Sequence, residues 1–378
     1  KFKDAFVQSL VKDRAFVTQN NRPCIVFLNG EYWGVYNLVE KYSDHYFETH
    51  FDIDKSEVVV LEGKESTGIN IEEGEDEDIE LYNEMLTFLN THDLSDNDNY
   101  AQFCEMVDIE NMIDYFATQC YIGNEDWPYN NIQFFRTRTV NDQPYHDGKW
   151  RFILYDTEFS MGHYSGGNTS KNTIAVSKGK ESGHKGDPFF MAAIKNPDFV
   201  KRFVTVGMDL SNSNFDLDTA KIQLDKYVAQ FRPVMADYYK RFVSSDGNGR
   251  VSNTFDVNVD AIKNFLQGRQ QVWSNQLKSE FSLKGQSSTV NVLSTLELKD
   301  VLQVNTITPD MSKGTWSGKY FTDYTVDLKA KEIDGYRFDG WTVTGGTLSS
   351  ESNADTTLTL NSTAVTVKAN YSSSTDPN

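Results

Sequence analysis

A change of texture near residue 283 constrains the fold of this chain more than any other feature. Before it, amphipathic segments with helical spacing alternate with aromatic-rich, strand-like runs. After it, Ser, Thr, Val and Gly dominate, with the alternation and turn spacing of a small all-β module. Two domains are therefore expected, 1–283 and 284–378, the first α+β and the second all-β. Charge divides at the same place. The net charge is −19 over 378 residues, and the 8 basic and 11 acidic residues of 284–378 leave −16 in the first part. Acidity of this size argues against any general grip on nucleic acid, which needs clustered Lys and Arg. No apolar run approaches the roughly 18 residues of a membrane span. The opening at Lys1, without Met, reads as the start of an excised piece, with any signal peptide upstream. Cys24, Cys104 and Cys120 form no CxxC pair, so zinc or redox chemistry is not expected; buried free thiols are, at Cys104 and Cys120.

Local signals place the elements. Residues 22–38 (RPCIVFLNGEYWGVYNL) read as a hairpin turning at Asn29-Gly30. Residues 56–62 read as a strand, and the acidic run 72–80 (EEGEDEDIE) as a solvated loop leading into a helix. Helical spacing covers 81–90 and 99–107, and Asp108 is expected to cap a helix reaching about Ile122. Strands are expected at 132–137 and 150–155. Asp187-Pro188 and Asn196-Pro197 each place a capping residue before a helix-starting proline. Two more helices are expected at about 218–243 and 259–281. Asp246-Gly-Asn-Gly249 reads as a polar turn, and 372–378 (SSSTDPN) as the start of a linker.

Recognisable phosphate loops, HExxH and GxSxG are absent, and the six histidines are scattered. What remains is carboxylates and amides beside strands. In Asn124-Glu-Asp126-Trp-Pro-Tyr-Asn130-Asn131, an Asp precedes an Asn by five positions at a helix-to-strand turn. Protein kinases use that spacing: the Asp orients the attacking hydroxyl and the Asn holds Mg²⁺. In Trp150-Arg-Phe-Ile-Leu-Tyr-Asp156-Thr-Glu158, a carboxylate at the end of an apolar strand can share that metal, since Mg²⁺ takes oxygen ligands. Plainer readings stand beside these. Asp126 and Asn131 are ordinary turn residues, Asp156 fits a cap or a surface charge, and Trp127 and Trp150 fit the core.

Three motifs in order, Asn29-Gly-Glu-Tyr-Trp-Gly-Val-Tyr-Asn-Leu-Val-Glu40, Asp126-Trp-Pro-Tyr-Asn-Asn131 and Trp150 to Phe159, resemble the spore-coat CotH kinase family, as does the opening Phe2 to Leu10. The resemblance covers roughly 1–283 and implies an atypical two-lobed protein-kinase-like domain with an ATP–metal site. It implies Asp126 as the catalytic-loop aspartate, with Asn131 and Asp156 as ligands of Mg²⁺ (or Mn²⁺ or Ca²⁺). Glu40, in the family's Glu motif, is implied to pair with a lysine or help hold metal. Lys64 is the candidate phosphate-contacting lysine, an exposed loop lysine being the plainer reading. No HRD triplet or ordinary glycine-rich loop is present; Glu125 stands where the Arg would be. Residues 335–341 (GYRFDGW) and 365–371 (VTVKANY) resemble divergent internalin-type B repeats, which implies a β-grasp-like spacer.

Three functions follow as expectations. The first is an ATP- and metal-dependent Ser/Thr protein kinase acting on secreted or coat proteins, with a basic, Ser/Thr-rich acceptor drawn to the acidic surface. The second is a pseudokinase or scaffold module in a secreted or cellulosomal multidomain assembly at the bacterial surface. The third is a glycosidase using Asp126 and Asp156 as an acid–base pair, a chemistry in which the Asp-to-Asn spacing has no role.

Overall fold

The computed structural model describes residues 1–64, 66–182, 185–243 and 246–374. The chain forms two compact units, Lys1–Val200 with Leu217–Trp273, and Lys201–Asp216 with Ser274–Asn378.

The first unit opens with α1 (Lys3–Leu10) and the hairpin β1 (Asn21–Leu28) and β2 (Glu31–Val39). Asn29 and Gly30 both take left-handed φ, 52° and 83°, as a tight primed turn requires. This hairpin is a two-stranded sheet of its own. Next come α2 (Asp44–Phe51), β3 (Val58–Lys64), β4 (Gly68–Glu73), α3 (Ile79–Thr91), α4 (Asn97–Met106), α5 (Ile109–Ile122), β5 (Ile132–Thr137) and β6 (Arg151–Ile153). The four strands from β3 to β6 make an antiparallel sheet of order β4-β3-β5-β6.

That sheet is covered on both faces, which explains why β3 reads as an unbroken apolar run rather than an alternating one. Phe47 and Ile53 pack with Val58, Val60, Phe135 and Ile153 on one side. On the other, Phe134 stacks on Tyr82 of α3 at 5.4 Å, and Phe152 on Tyr115 of α5 at 5.1 Å. Helix α5 is the buried axis of the unit, with every residue from Asn111 to Ile122 buried. Asp108 caps it by accepting from the Asn111 N–H at 3.1 Å, and Gly123 ends it in the left-handed conformation. The acidic run is in part the solvated loop expected, since 74–77 are exposed and lead into α3. Its first residues close β4, and Asp78 is buried against the Arg138 guanidinium at 2.6 and 2.9 Å.

Helices α6 (Thr173–Ser177), α7 (Pro188–Ala193), α8 (Pro197–Asn212), α9 (Leu217–Phe242), α10 (Gly247–Arg250) and α11 (Val257–Glu280) follow. Asp187 and Asn196 accept from the Phe190 and Asp198 N–H groups, both at 2.9 Å, as the Asp-Pro and Asn-Pro pairs imply. The stretch 246–249 is not a free turn. Asp246 caps α10, which continues through a π-helical segment into α11. Among the described residues no helix is long and apolar enough to cross a membrane.

The second unit carries eight strands: β7 (Ser287–Ser294), β8 (Leu302–Val304), β9 (Thr315–Phe321), β10 (Val326–Ala330), β11 (Tyr336–Thr344), β12 (Gly346–Leu348), β13 (Asp355–Leu360) and β14 (Ala364–Ser373). They form two four-stranded sheets, β12-β13-β10-β8 and β11-β14-β7-β9, with β7 and β14 parallel. Inward residues such as Val290, Val292, Leu328, Leu358, Val365 and Val367 alternate with exposed ones and make the core. Ser372 and Ser373, expected in a linker, are the end of β14, and 375–378 lie outside the described residues. The C-terminal part of α8 belongs to this unit because its polar residues are bonded into it. Asp209, fully buried, accepts from Asn305 Nδ2, Thr306 N, Thr306 Oγ1 and Tyr320 Oη at 2.7–3.2 Å. Asn212 exchanges two bonds with the Lys319 backbone, 2.9 and 3.0 Å.

Candidate active site

The turn after α5 carries Asp126, and several buried groups hold that turn. Arg269 of α11 donates to the Tyr121, Cys120, Thr169 and Lys171 carbonyls, which fixes the last turn of α5. Burial lowers its pKa to about 10. Asn124, inaccessible to solvent, donates to Gln119 Oε1 at 3.0 Å and accepts from the Asp126 N–H at 3.3 Å. Trp127, also inaccessible, donates through Nε1 to Tyr115 Oη at 2.8 Å. With the chain anchored on both sides, the Asp126 carboxylate takes a defined position. Its Oδ1 accepts from Asn130 Nδ2 at 3.1 Å and its Oδ2 from Asn131 Nδ2 at 3.0 Å. The Asp-to-Asn spacing of five is thus a direct side-chain contact. Asn131 has a φ of 58°, a left-handed conformation that Asn tolerates better than most residues.

Asp156 lies three residues beyond β6 and is also left-handed, with a φ of 47°. Its pKa is raised, first by burial and then by the neighbouring carboxylates of Asp4, Glu158 and Asp126. Asp156 and Asp126 are therefore electrostatic neighbours. The loops that bear them are tied by the Glu125 N–H donating to the Phe159 carbonyl at 3.1 Å. The loop after Asp156 is clasped from α1: Asp4 Oδ1 accepts from Thr157 N at 2.8 Å and from Thr157 Oγ1 at 2.9 Å. Sequence reasoning gave Asp4 no role, although it lies in the opening segment that carried part of the family resemblance.

Lys64 and Glu40 stand differently. Lys64, half exposed, forms an ion pair with Glu62, and that hydrogen bond raises its pKa. The same Glu62 accepts from Tyr155 Oη, so Lys64 reaches the chain next to Asp156 only through two intermediaries. Among the described residues Glu40 forms no ion pair with a lysine. It accepts from the Asn20 N–H at 2.7 Å and meets His50 Nε2 at 3.0 Å. Burial opposes its ionisation, but the bonds from Asn20 and His50 outweigh burial and hold its pKa below the usual value. No hydrogen bond or ion pair joins Glu40 to Asp126, Asn131, Asp156 or Lys64 among the described residues. A Glu at the end of a hairpin gives no local sign of which residue it will meet.

Among the described residues no three His, Cys, Asp or Glu side chains cluster as metal ligands. A closed, all-protein metal cage is therefore not what this geometry offers. The set Asp156, Asn131 and Asp126 fits a hard divalent ion that takes most of its oxygens from phosphate and water. The crowding of Asp156 by like charge is itself the condition that a cation relieves.

The unit is α+β, with an amide-clamped aspartate after a buried helix and a second aspartate past a sheet strand. The chain belongs to the CotH kinase protein family, which matches residues 1–273. A divergent InlB B-repeat domain matches residues 304–375. No curated protein matches the chain.

Proposed function

We propose that this protein is an ATP- and divalent-metal-dependent phosphotransferase, a Ser/Thr protein kinase acting on secreted or coat proteins. The observation that carries the reading is the Asp126 carboxylate held by both Asn130 and Asn131 next to a charge-crowded Asp156. Asp126 accepts a hydrogen bond from the acceptor hydroxyl and aims its oxygen for in-line attack; its carboxylate oxygens each keep a further lone pair for that bond. Asn130 and Asn131 hold the carboxylate in one rotamer, so little orientation is lost at the moment of reaction. Asp156 and Asn131 would hold Mg²⁺ or Mn²⁺, which supplies charge neutralisation for the nucleotide phosphates. The net charge of −19 favours a basic, Ser/Thr-rich acceptor through long-range attraction. The family match and the B-repeat domain support a secreted or surface location within a larger extracellular assembly.

Asp126→Ala and Asp156→Ala are each expected to reduce phosphate transfer from radiolabelled ATP to a basic, Ser-rich protein by at least about 10³-fold, with circular dichroism unchanged. Full activity in either variant rejects the assigned roles. A second reading, a non-catalytic scaffold, draws on Glu40 and Lys64 being engaged elsewhere, with His50 and Glu62. Calorimetry with ATP and Mg²⁺, Mn²⁺ or Ca²⁺ separates the two, since the scaffold binds no nucleotide with any of these ions.

A further inference from the structure

Lysine 64 was the expected phosphate contact, yet its charge is already matched by Glu62. A different lysine lies against the loop that follows Asp156. Lys3, the first residue of α1, donates from Nζ to the Ser160 carbonyl at 2.9 Å and lies 3.1 Å from His163 Nδ1. Its neighbour Asp4 clasps Thr157 in the same loop. Glu158 and Glu125 are its electrostatic surroundings, and Glu158 also bears on Asp156. No carboxylate of the described residues comes within 4 Å of Lys3 Nζ, so it forms no ion pair.

The position is also a concave one. Lys3 lines a cavity of about 120 Å³ together with Glu158, Gly162, His163, Tyr239, Phe255 and Ile262. Burial opposes the charge on Lys3 and lowers its pKa to about 8. An anion beside it would offset that cost. An ammonium group has three N–H donors, and the Ser160 and His163 contacts use at most two.

We propose that the Lys3 ammonium group contacts the phosphate oxygens of the nucleotide at this site, the role expected of Lys64. The inference rests on the phosphotransferase reading. Lys3 supplies positive charge beside Glu158 and Glu125, and Glu158 is in turn one of the carboxylates that crowd Asp156, while Asp4 ties α1 to the loop after Asp156.

The experiment is calorimetric binding of Mg-ATP, with adenosine as a phosphate-free control, to the full chain and to Lys3→Met, Lys3→Arg and Lys64→Met. Lys3→Met is expected to weaken Mg-ATP at least tenfold and leave adenosine unchanged. Lys3→Arg is expected to stay within about threefold of the unaltered chain, and Lys64→Met within twofold. Lys3→Gln keeps a donor to the Ser160 carbonyl and replaces Lys3→Met if the latter disturbs folding. Unchanged Mg-ATP affinity in the uncharged variant overturns the Lys3 assignment alone. Equal loss of ATP and adenosine also overturns it, because that pattern is a damaged loop. Absence of Mg-ATP binding by the unaltered chain overturns the phosphotransferase reading, and the Lys3 role with it.

Discussion

Asp209, fully buried, and Asp156, half-buried, are acidic side chains treated in opposite ways. Asp209, in the second unit, receives four donors from Asn305, Thr306 and Tyr320, and its negative charge is spent on joining helix α8 to the strands. Asp156, in the first unit, is ringed by Asp4, Glu158 and Asp126, and its pKa is pushed up. A buried charge whose lone pairs are met by donors is a structural device. One left among like charges is a cost to folding, and such costs gather where a ligand or a reaction requires them. The contrast separates the two roles without reference to family.

The largest expected effect breaks the structural member of the pair. Asp209→Ala strips the acceptor from the buried Tyr320 hydroxyl and from the half-buried Thr306 donors and is expected to cost about 3–5 kcal/mol in chemical denaturation. A loss below about 1 kcal/mol would remove the distinction drawn between the two aspartates. An intermediate effect is expected at Asp187, fully buried, where burial raises the pKa to about 7 despite backbone bonds from Phe190 and Phe189. A folded-state pKa raised above the unfolded value means that the folded form binds the proton more tightly. Stability is then fully present below about pH 4 and is lost as pH rises towards 7, by roughly 2–4 kcal/mol in total. Asp187→Asn keeps the cap on α7 and is expected to flatten that part of the pH–Tm curve; an unchanged slope would show that Asp187 is not its source. The smallest effect sharpens the functional member. Asp156→Asn removes like-charge crowding, so at neutral pH it is expected to raise stability by up to about 1 kcal/mol while phosphate transfer is lost. A destabilised Asp156→Asn protein would place Asp156 with Asp209.

Much of the local structure was legible because its causes are local. Asn29-Gly30 demands positive φ at two successive residues, Asp108 and Asp187 satisfy the first N–H groups of α5 and α7, and the apolar stretch of α5 admits one buried helix. The Asp126-to-Asn131 spacing was legible, and the side-chain contact it makes is local too, since five residues of turn bring the two groups together. The rest of the site was not. Asp4 and Lys3 reach Thr157 and Ser160 across more than 150 residues, and no periodicity or capping rule encodes such a meeting. Glu40 was expected to pair with a lysine or help hold metal; it meets His50, because the end of β2 delivers it to α2. The texture change near 283 did not mark where residues 201–216 pack. Those residues have helical periodicity like their neighbours, and only the donors at Asn305, Thr306 and Tyr320 reveal which unit Asp209 completes.

Strand β9 is the last strand of its sheet, with β7 on one side. Its outer edge presents the Lys319 N–H and C=O, and the Asn212 side chain takes both. Gly318 is flanked closely: a methyl group there would clash with the Trp316 ring and lie 3.0 Å from Asn212 Nδ2. An unpaired strand edge is where a neighbouring copy of a β module adds itself. By answering one peptide unit with a side-chain amide that mimics a peptide, α8 leaves an incoming strand no partner at Lys319. The amide is a stopper: at that peptide it ends the ladder.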